Sequence, residues 1–175
     1  IYATHMRSEG NGIVEAVDEA IEIAQTADVK LEISHLKFSG FKNWHKCDGV
    51  LETISALANS GFPVRCDKYP YLAWRTYITV RFPKWAREGD SSLLGQSSNL
   101  IAALKDESKQ QALREHIEEG IVNSGGAQNI RIQWGYCRGK NLQEVCRERN
   151  ADCYDIMRDV TIKSNGKATI VCETM

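Results

Sequence analysis

The hydrophobic pattern at the head of the chain changes period several times. Ile1 to Arg7 reads as a short strand. Ile13, Val14, Val17, Ala20, Ile21 and Ala24 then recur at helical spacing, with Glu15, Asp18, Glu19 and Glu22 on the opposite face. Val29 to His35 reads as a second strand. From about Asp48, the positions Val50, Leu51, Ile54, Leu57 and Ala58 mark a second amphipathic helix, which Ser60-Gly61 ends. Phe62 to Tyr69 reads as a third strand. This order of strands, loops and helices predicts βαβ units with parallel strands.

Two of these strands end alike. Ile1-Tyr-Ala-Thr-His5-Met-Arg7 and Leu31-Glu-Ile-Ser-His35-Leu-Lys37 each close on His, one residue, then a basic residue. Parallel strands bring their C-terminal ends to the same side, where open α/β sheets and barrels alike place their chemistry. His5 and His35 are therefore candidate metal ligands or acid/base groups. Neighbouring strands lie about 4.8 Å apart, so both imidazoles can converge on one ion bound at about 2.0–2.1 Å. Catalytic zinc usually takes three protein ligands, which makes two histidines part of a site. Arg7 and Lys37, two residues beyond each His and on its face in a strand, suit an anionic group such as a carboxylate. Asp67 could be a ligand, a base or a partner that orients Lys37. Tyr69 could donate to a substrate carbonyl. His45 and His116 fall in a loop and a polar helix and should face solvent.

The loops after the first two strands differ in character. Arg7 to Gly12 is polar and Gly-rich, whereas Lys37 to His45 mixes aromatic and basic residues, a composition suited to substrate contact. From Leu72 the βα rhythm stops. Trp74, Tyr77, Phe82 and Trp85 sit among arginines, followed by polar helical segments around Leu100 to Leu104 and Ser108 to Val122. Residues 72–128 read as an inserted, lid-like segment over an active site, and 129–175 as a return to the main architecture. In the return, Asn129 to Trp134 alternates like a strand. Asn141 with Glu144 makes a capping-box pattern for the first of two short helices broken at Asn150.

Composition narrows the class. The 175 residues are 42% hydrophobic and 26% charged with a formal net charge of -1, so a packed core is expected, with no electrostatic case for nucleic acid or an anionic membrane. No apolar run approaches the roughly 18 residues that span a bilayer, and no signal-peptide pattern opens the chain. A cytoplasmic location is expected. Six cysteines without CxxC spacing read as buried or idle thiols in a reducing compartment. The chain starts without Met inside a strand pattern and ends as another strand finishes, which reads as cut at both ends.

Thr4-His-Met-Arg-Ser-Glu9, Ile33-Ser-His-Leu-Lys37 and Asp67-Lys-Tyr-Pro-Tyr71, in this order and spacing, resemble the D-aminoacylase and N-acyl-D-amino-acid deacylase branch of the amidohydrolase superfamily. The likeness extends to Phe82-Pro-Lys-Trp-Ala-Arg-Glu-Gly89 and Asn141-Leu-Gln-Glu-Val145. It implies an α/β fold, the C-terminal part of a metal-dependent (β/α)8 TIM-like barrel, with residues 1–71 as its fifth to seventh strands. It implies one or two zinc ions and a small N-acyl-D-amino-acid substrate whose amide is hydrolysed. By the same resemblance, His5 and His35 would be metal ligands and Lys37 and Tyr69 would hold substrate; a binding role for Arg7 is added from its place in the first motif. The family's first-strand HxH motif and upstream Cys ligand have no counterpart here, and its catalytic Asp would follow Met175. The 175 residues alone are thus expected to be inactive. Trp74-Arg-Thr76 departs from the family, so substrate preference does not carry over. The rival readings are a cyclic-amide amidohydrolase, dihydroorotase-like or hydantoinase-like, and a non-catalytic barrel used for binding.

Overall fold

A computed structural model describes residues 1–90 and 97–174. The chain forms two compact units, Ile1–Leu72 and Ala73–Thr174, meeting in sequence where the hydrophobic period changes.

The first unit is a parallel three-stranded sheet, β1 (Tyr2–Thr4), β2 (Leu31–Ile33) and β3 (Val64–Cys66), in that spatial order. Helix α1 (Ile13–Thr26) connects β1 to β2, and α2 (Cys47–Asn59) connects β2 to β3. The strands are in register, with Tyr2 beside Leu31 and Val64, and Thr4 beside Ile33 and Cys66. Leu31 and Ile33 bury against Ile13, Ala16, Val17, Ala20 and Ala24 of α1 and Val50 and Ile54 of α2. The buried helical stripes are narrower than the sequence predicts: Val14 and Leu51 are exposed, because three short strands cover only one face of each helix. Gly61, at φ 92°, turns the chain out of α2 in the left-handed region that favours glycine. The strands are also shorter than predicted, so His5, His35 and Asp67 all lie just beyond their C-terminal ends.

The second unit is built on an antiparallel sheet of β4 (Trp74–Tyr77), β5 (Ile130–Trp134) and β6 (Thr169–Cys172), with β6 in the middle. Helices α3 (Ser98–Lys105), α4 (Gln110–Asn123), α5 (Leu142–Arg149) and α6 (Cys153–Lys163) complete it. Its core joins Ile78, Phe82, Leu100, Leu104, Leu113 and Ile117 to Ile130, Ile132, Val145, Tyr154, Met157, Val160 and Ile170. The segments expected as an insertion and as a return to the barrel thus share one sheet and one core, since β4 pairs with β6 across nearly the whole unit. The Asn141–Glu144 capping box forms at the start of α5, and Asn150 ends that helix at φ 48°. Residues 91–96 of the expected lid lie outside the described residues.

Candidate metal and substrate site

Three successive βα turns build the site at the C-terminal end of the parallel sheet. His5 follows β1 by one residue, His35 follows β2 by two, and Asp67 directly follows β3. At His35 the backbone enters the left-handed region, with φ 44°. The Asp67 carboxylate holds this turn by accepting from the His35 backbone N–H at 2.6 Å, while Leu36 N–H donates to the Asp67 carbonyl at 2.9 Å. Asp67 therefore acts on the histidine backbone. Among the described contacts it is not a partner of the Lys37 ammonium, although its charge favours that ammonium.

The two imidazoles meet. His5 Nδ1 and His35 Nε2 are in direct contact, and the rings stack with centroids 4.5 Å apart at 22°. On the far side of the His35 ring, Nδ1 lies 2.8 Å from Glu9 Oε1 and 2.8 Å from Lys37 Nζ. Glu9 Oε1 also lies 2.5 Å from Lys37 Nζ. Glu9 accepts from Lys37 Nζ, and both groups lie against His35 Nδ1, so together they fix the orientation of the ring from the side away from His5. This is the orientation that an outer carboxylate imposes on a metal-ligating histidine.

Lys37 is buried and also donates to the His35 carbonyl at 3.2 Å. Burial pulls its ammonium below the usual lysine range, and Glu9 opposes that pull. Its Nζ sits 5.9 Å from the centre of the Tyr69 ring. Burial, then the charge of Glu9, pushes the Tyr69 phenol up, which keeps it a hydrogen-bond donor at neutral pH.

Arg7 does not join this cluster. Its guanidinium grips Glu19 of α1 through Nε at 2.9 Å and Nη2 at 2.6 Å, and that bond raises its pKa. The expectation that Arg7 shares the face of His5 fails because β1 stops at Thr4 and the chain turns before residue 7. Its place beside His35 and Lys37 is taken by Glu9. The loop carrying Glu9 is tied down at several points. Ser39 N–H donates to the Glu9 carbonyl at 2.7 Å, Lys46 Nζ to the Asn11 carbonyl at 2.6 Å, and the buried Asn43 amide to the Asn11 side chain at 3.2 Å. His45 and His116 are both exposed, as expected. Phe41 and Trp44, in the loop before α2, are half exposed and pack edge to face.

Two imidazoles with converging ring nitrogens and an outer carboxylate fit part of a transition-metal site. Among the described residues no group of three or more His, Cys, Asp or Glu side chains is placed to hold an ion.

No family model matches the chain. In sequence it is 42% identical over 78 residues to a D-aminoacylase of Alcaligenes xylosoxydans xylosoxydans, which is 45% of this chain and 16% of that protein. It is 38% identical over 80 residues to an N-acyl-D-aspartate deacylase of the same organism, again 16% of the relative's length. In structure it matches a D-aminoacylase described as defining a novel subset of amidohydrolases, with a TM-score of 0.63 and 26% identity over 99% of this chain and 28% of that one. An N-acyl-D-glutamate deacylase from Bordetella bronchiseptica, complexed with zinc and a phosphonate inhibitor, shares the fold at a TM-score of 0.66 and 20% identity. The chain thus spans about one sixth of its curated relatives and just over a quarter of the solved ones. Over that part, both its sequence and its fold resemble D-aminoacylases and N-acyl-D-amino-acid deacylases of the amidohydrolase family.

Proposed function

We propose that this chain forms part of a metal-dependent amidohydrolase that hydrolyses the amide of N-acyl-D-amino acids. The observation that carries the reading is the meeting of His5 Nδ1 and His35 Nε2 at the ends of adjacent parallel strands, backed by Glu9 and Lys37. The likeness to D-aminoacylase supports the substrate class. In this reading the first unit supplies βα units of a (β/α)8 barrel, with the chemistry at the C-terminal ends of the strands.

His5 and His35 would hold zinc, the metal in the complex of the related deacylase. Bound there, zinc would supply a Lewis acid that polarises the amide carbonyl. Glu9 and Lys37 hold the His35 ring in place, so its Nε2 stays turned toward His5 without a ring flip. The Lys37 ammonium offers a buried positive charge to a substrate carboxylate, and the Tyr69 hydroxyl offers a hydrogen bond to substrate oxygen. Arg7 is left out of the substrate set because Glu19 already engages its guanidinium.

The test is a hydrolysis panel on the protein expressed from the full reading frame that contains this chain. It covers N-acetyl-D-amino acids, their L forms, dihydroorotate and hydantoins. Zinc-dependent release of free D-amino acid is expected. Turnover of the cyclic amides alone would replace the proposal with the cyclic-amide reading.

A further inference from the structure

Two cysteines in the second unit stand outside this chemistry. Cys146 lies in the last turns of α5 and Cys153 is the first residue of α6. Their sulfurs are 2.9 Å apart, although no CxxC spacing announces them. Both are half-buried beside the unit's core.

The seven-residue step between them is made by a defined turn. Asn150 takes the left-handed conformation that ends α5, Ala151 N–H donates back to the Cys146 carbonyl at 3.1 Å, and Asp152 caps α6 through Asp155 N–H at 2.8 Å. The Arg114 guanidinium anchors that cap by pairing with Asp152 and with Asp155. The turn therefore holds the two sulfurs together from both helices.

We infer that Cys146 and Cys153 are a redox-active thiol pair that closes to an intrachain disulfide by exchange with a low-molecular-weight disulfide, pinning α5 to α6. Burial, then the contact with Cys153, pushes the Cys146 thiol up to about 12, so Cys146 is not the thiol that attacks first. The Cys153 sulfur attacks one sulfur of the small disulfide and releases one small thiol. Cys146 then gives its proton to solvent, attacks the mixed disulfide at the Cys153 sulfur and releases the second small thiol. Two protein thiols are oxidised to one disulfide, and one small disulfide is reduced to two thiols.

The sequence makes the product simple to read. Trypsin leaves Cys146 in the peptide Asn141–Arg147 and Cys153 in Asn150–Arg158, each with a single cysteine. The folded chain is treated with oxidised glutathione, quenched with iodoacetamide, digested and analysed by mass spectrometry. The two peptides are expected joined, with the ratio of linked peptides to glutathione mixed disulfide about tenfold or more above that of the chain unfolded in urea, because the fold holds the sulfurs in position for the second exchange. Cys146→Ser should instead trap glutathione on Cys153. Recovery of the two wild-type peptides unlinked, or an equal ratio in the folded and unfolded chain, would overturn the inference.

Discussion

Glu9 holds the candidate site together, and its removal gives a quantitative test. Its carboxylate lies 2.5 Å from Lys37 Nζ, whose side chain is 5% exposed, while Glu9 itself is 23% exposed. A hydrogen bond to a charged group contributes about 1.5–3 kcal/mol, and breaking a fully buried pair costs about 3–5 kcal/mol. Partial exposure of Glu9, and the oxygen that a glutamine keeps, place Glu9→Gln near the lower figure, at about 2 kcal/mol. That is a large share of a marginal stability of about 5–15 kcal/mol. Because the ammonium left behind is buried, Lys37→Met should relieve most of this cost, so the double variant should be more stable than the sum of the single effects predicts by about 1 kcal/mol or more. Native-state hydrogen exchange at Ser34 N–H, which donates to the Thr4 carbonyl, reads the first unit alone. Single costs that add to within about 0.5 kcal/mol would refute the coupling between Glu9 and Lys37.

Two further predictions concern the second unit. Burial pushes the Asp152 carboxyl up, but the backbone N–H of Asp155 and the Arg114 guanidinium outweigh it and hold the group below the usual carboxylate range. A carboxylate depressed in the folded state contributes stability that is complete above about pH 4 and is lost as the pH falls through the lower, folded value. Asp152→Asn, which keeps a capping side chain, should flatten the acid limb of thermal stability between about pH 4 and 2; an unchanged limb would count against the ion pair. Gly166 sits at φ 74°, where a Cβ would run into Ser97 and meet Thr79 Cγ2 at 3.2 Å, whereas Gly139 at φ 89° has open space around it. Gly166→Ala should therefore destabilise the chain by about 1 kcal/mol or more beyond Gly139→Ala in urea denaturation, and equal costs would show that backbone strain alone matters.

How much could be read from the sequence varies with how local each signal is. Helix α1 follows from its apolar period and α5 from its capping box, since both signals lie within a few residues. The paired His-x-base endings pointed to His5 and His35 because two similar βα turns repeat the same step. Strand parity then misled at Arg7: it assumes an extended chain, and β1 ends at Thr4. Glu9 carried no local signal, because its partners His35 and Lys37 come from the next βα unit and reach it only in the fold. Strand β4 was hidden for the same reason, its partner β6 lying some 95 residues away among aromatic and arginine-rich neighbours. The Cys146–Cys153 contact depends on a left-handed turn at Asn150 that cysteine spacing alone does not encode.

In the proposed function His5 and His35 act as one pair of metal ligands. The four histidines of the chain make this directly observable by following their imidazole C–H resonances during titration with zinc. Two signals, lost one each on His5→Ala and His35→Ala, should shift together and saturate at one ion per chain, and either substitution should abolish the shift of the other. His45 and His116 should stay put. Independent movement of all four signals, or zinc binding that survives loss of either His5 or His35, would contradict the account.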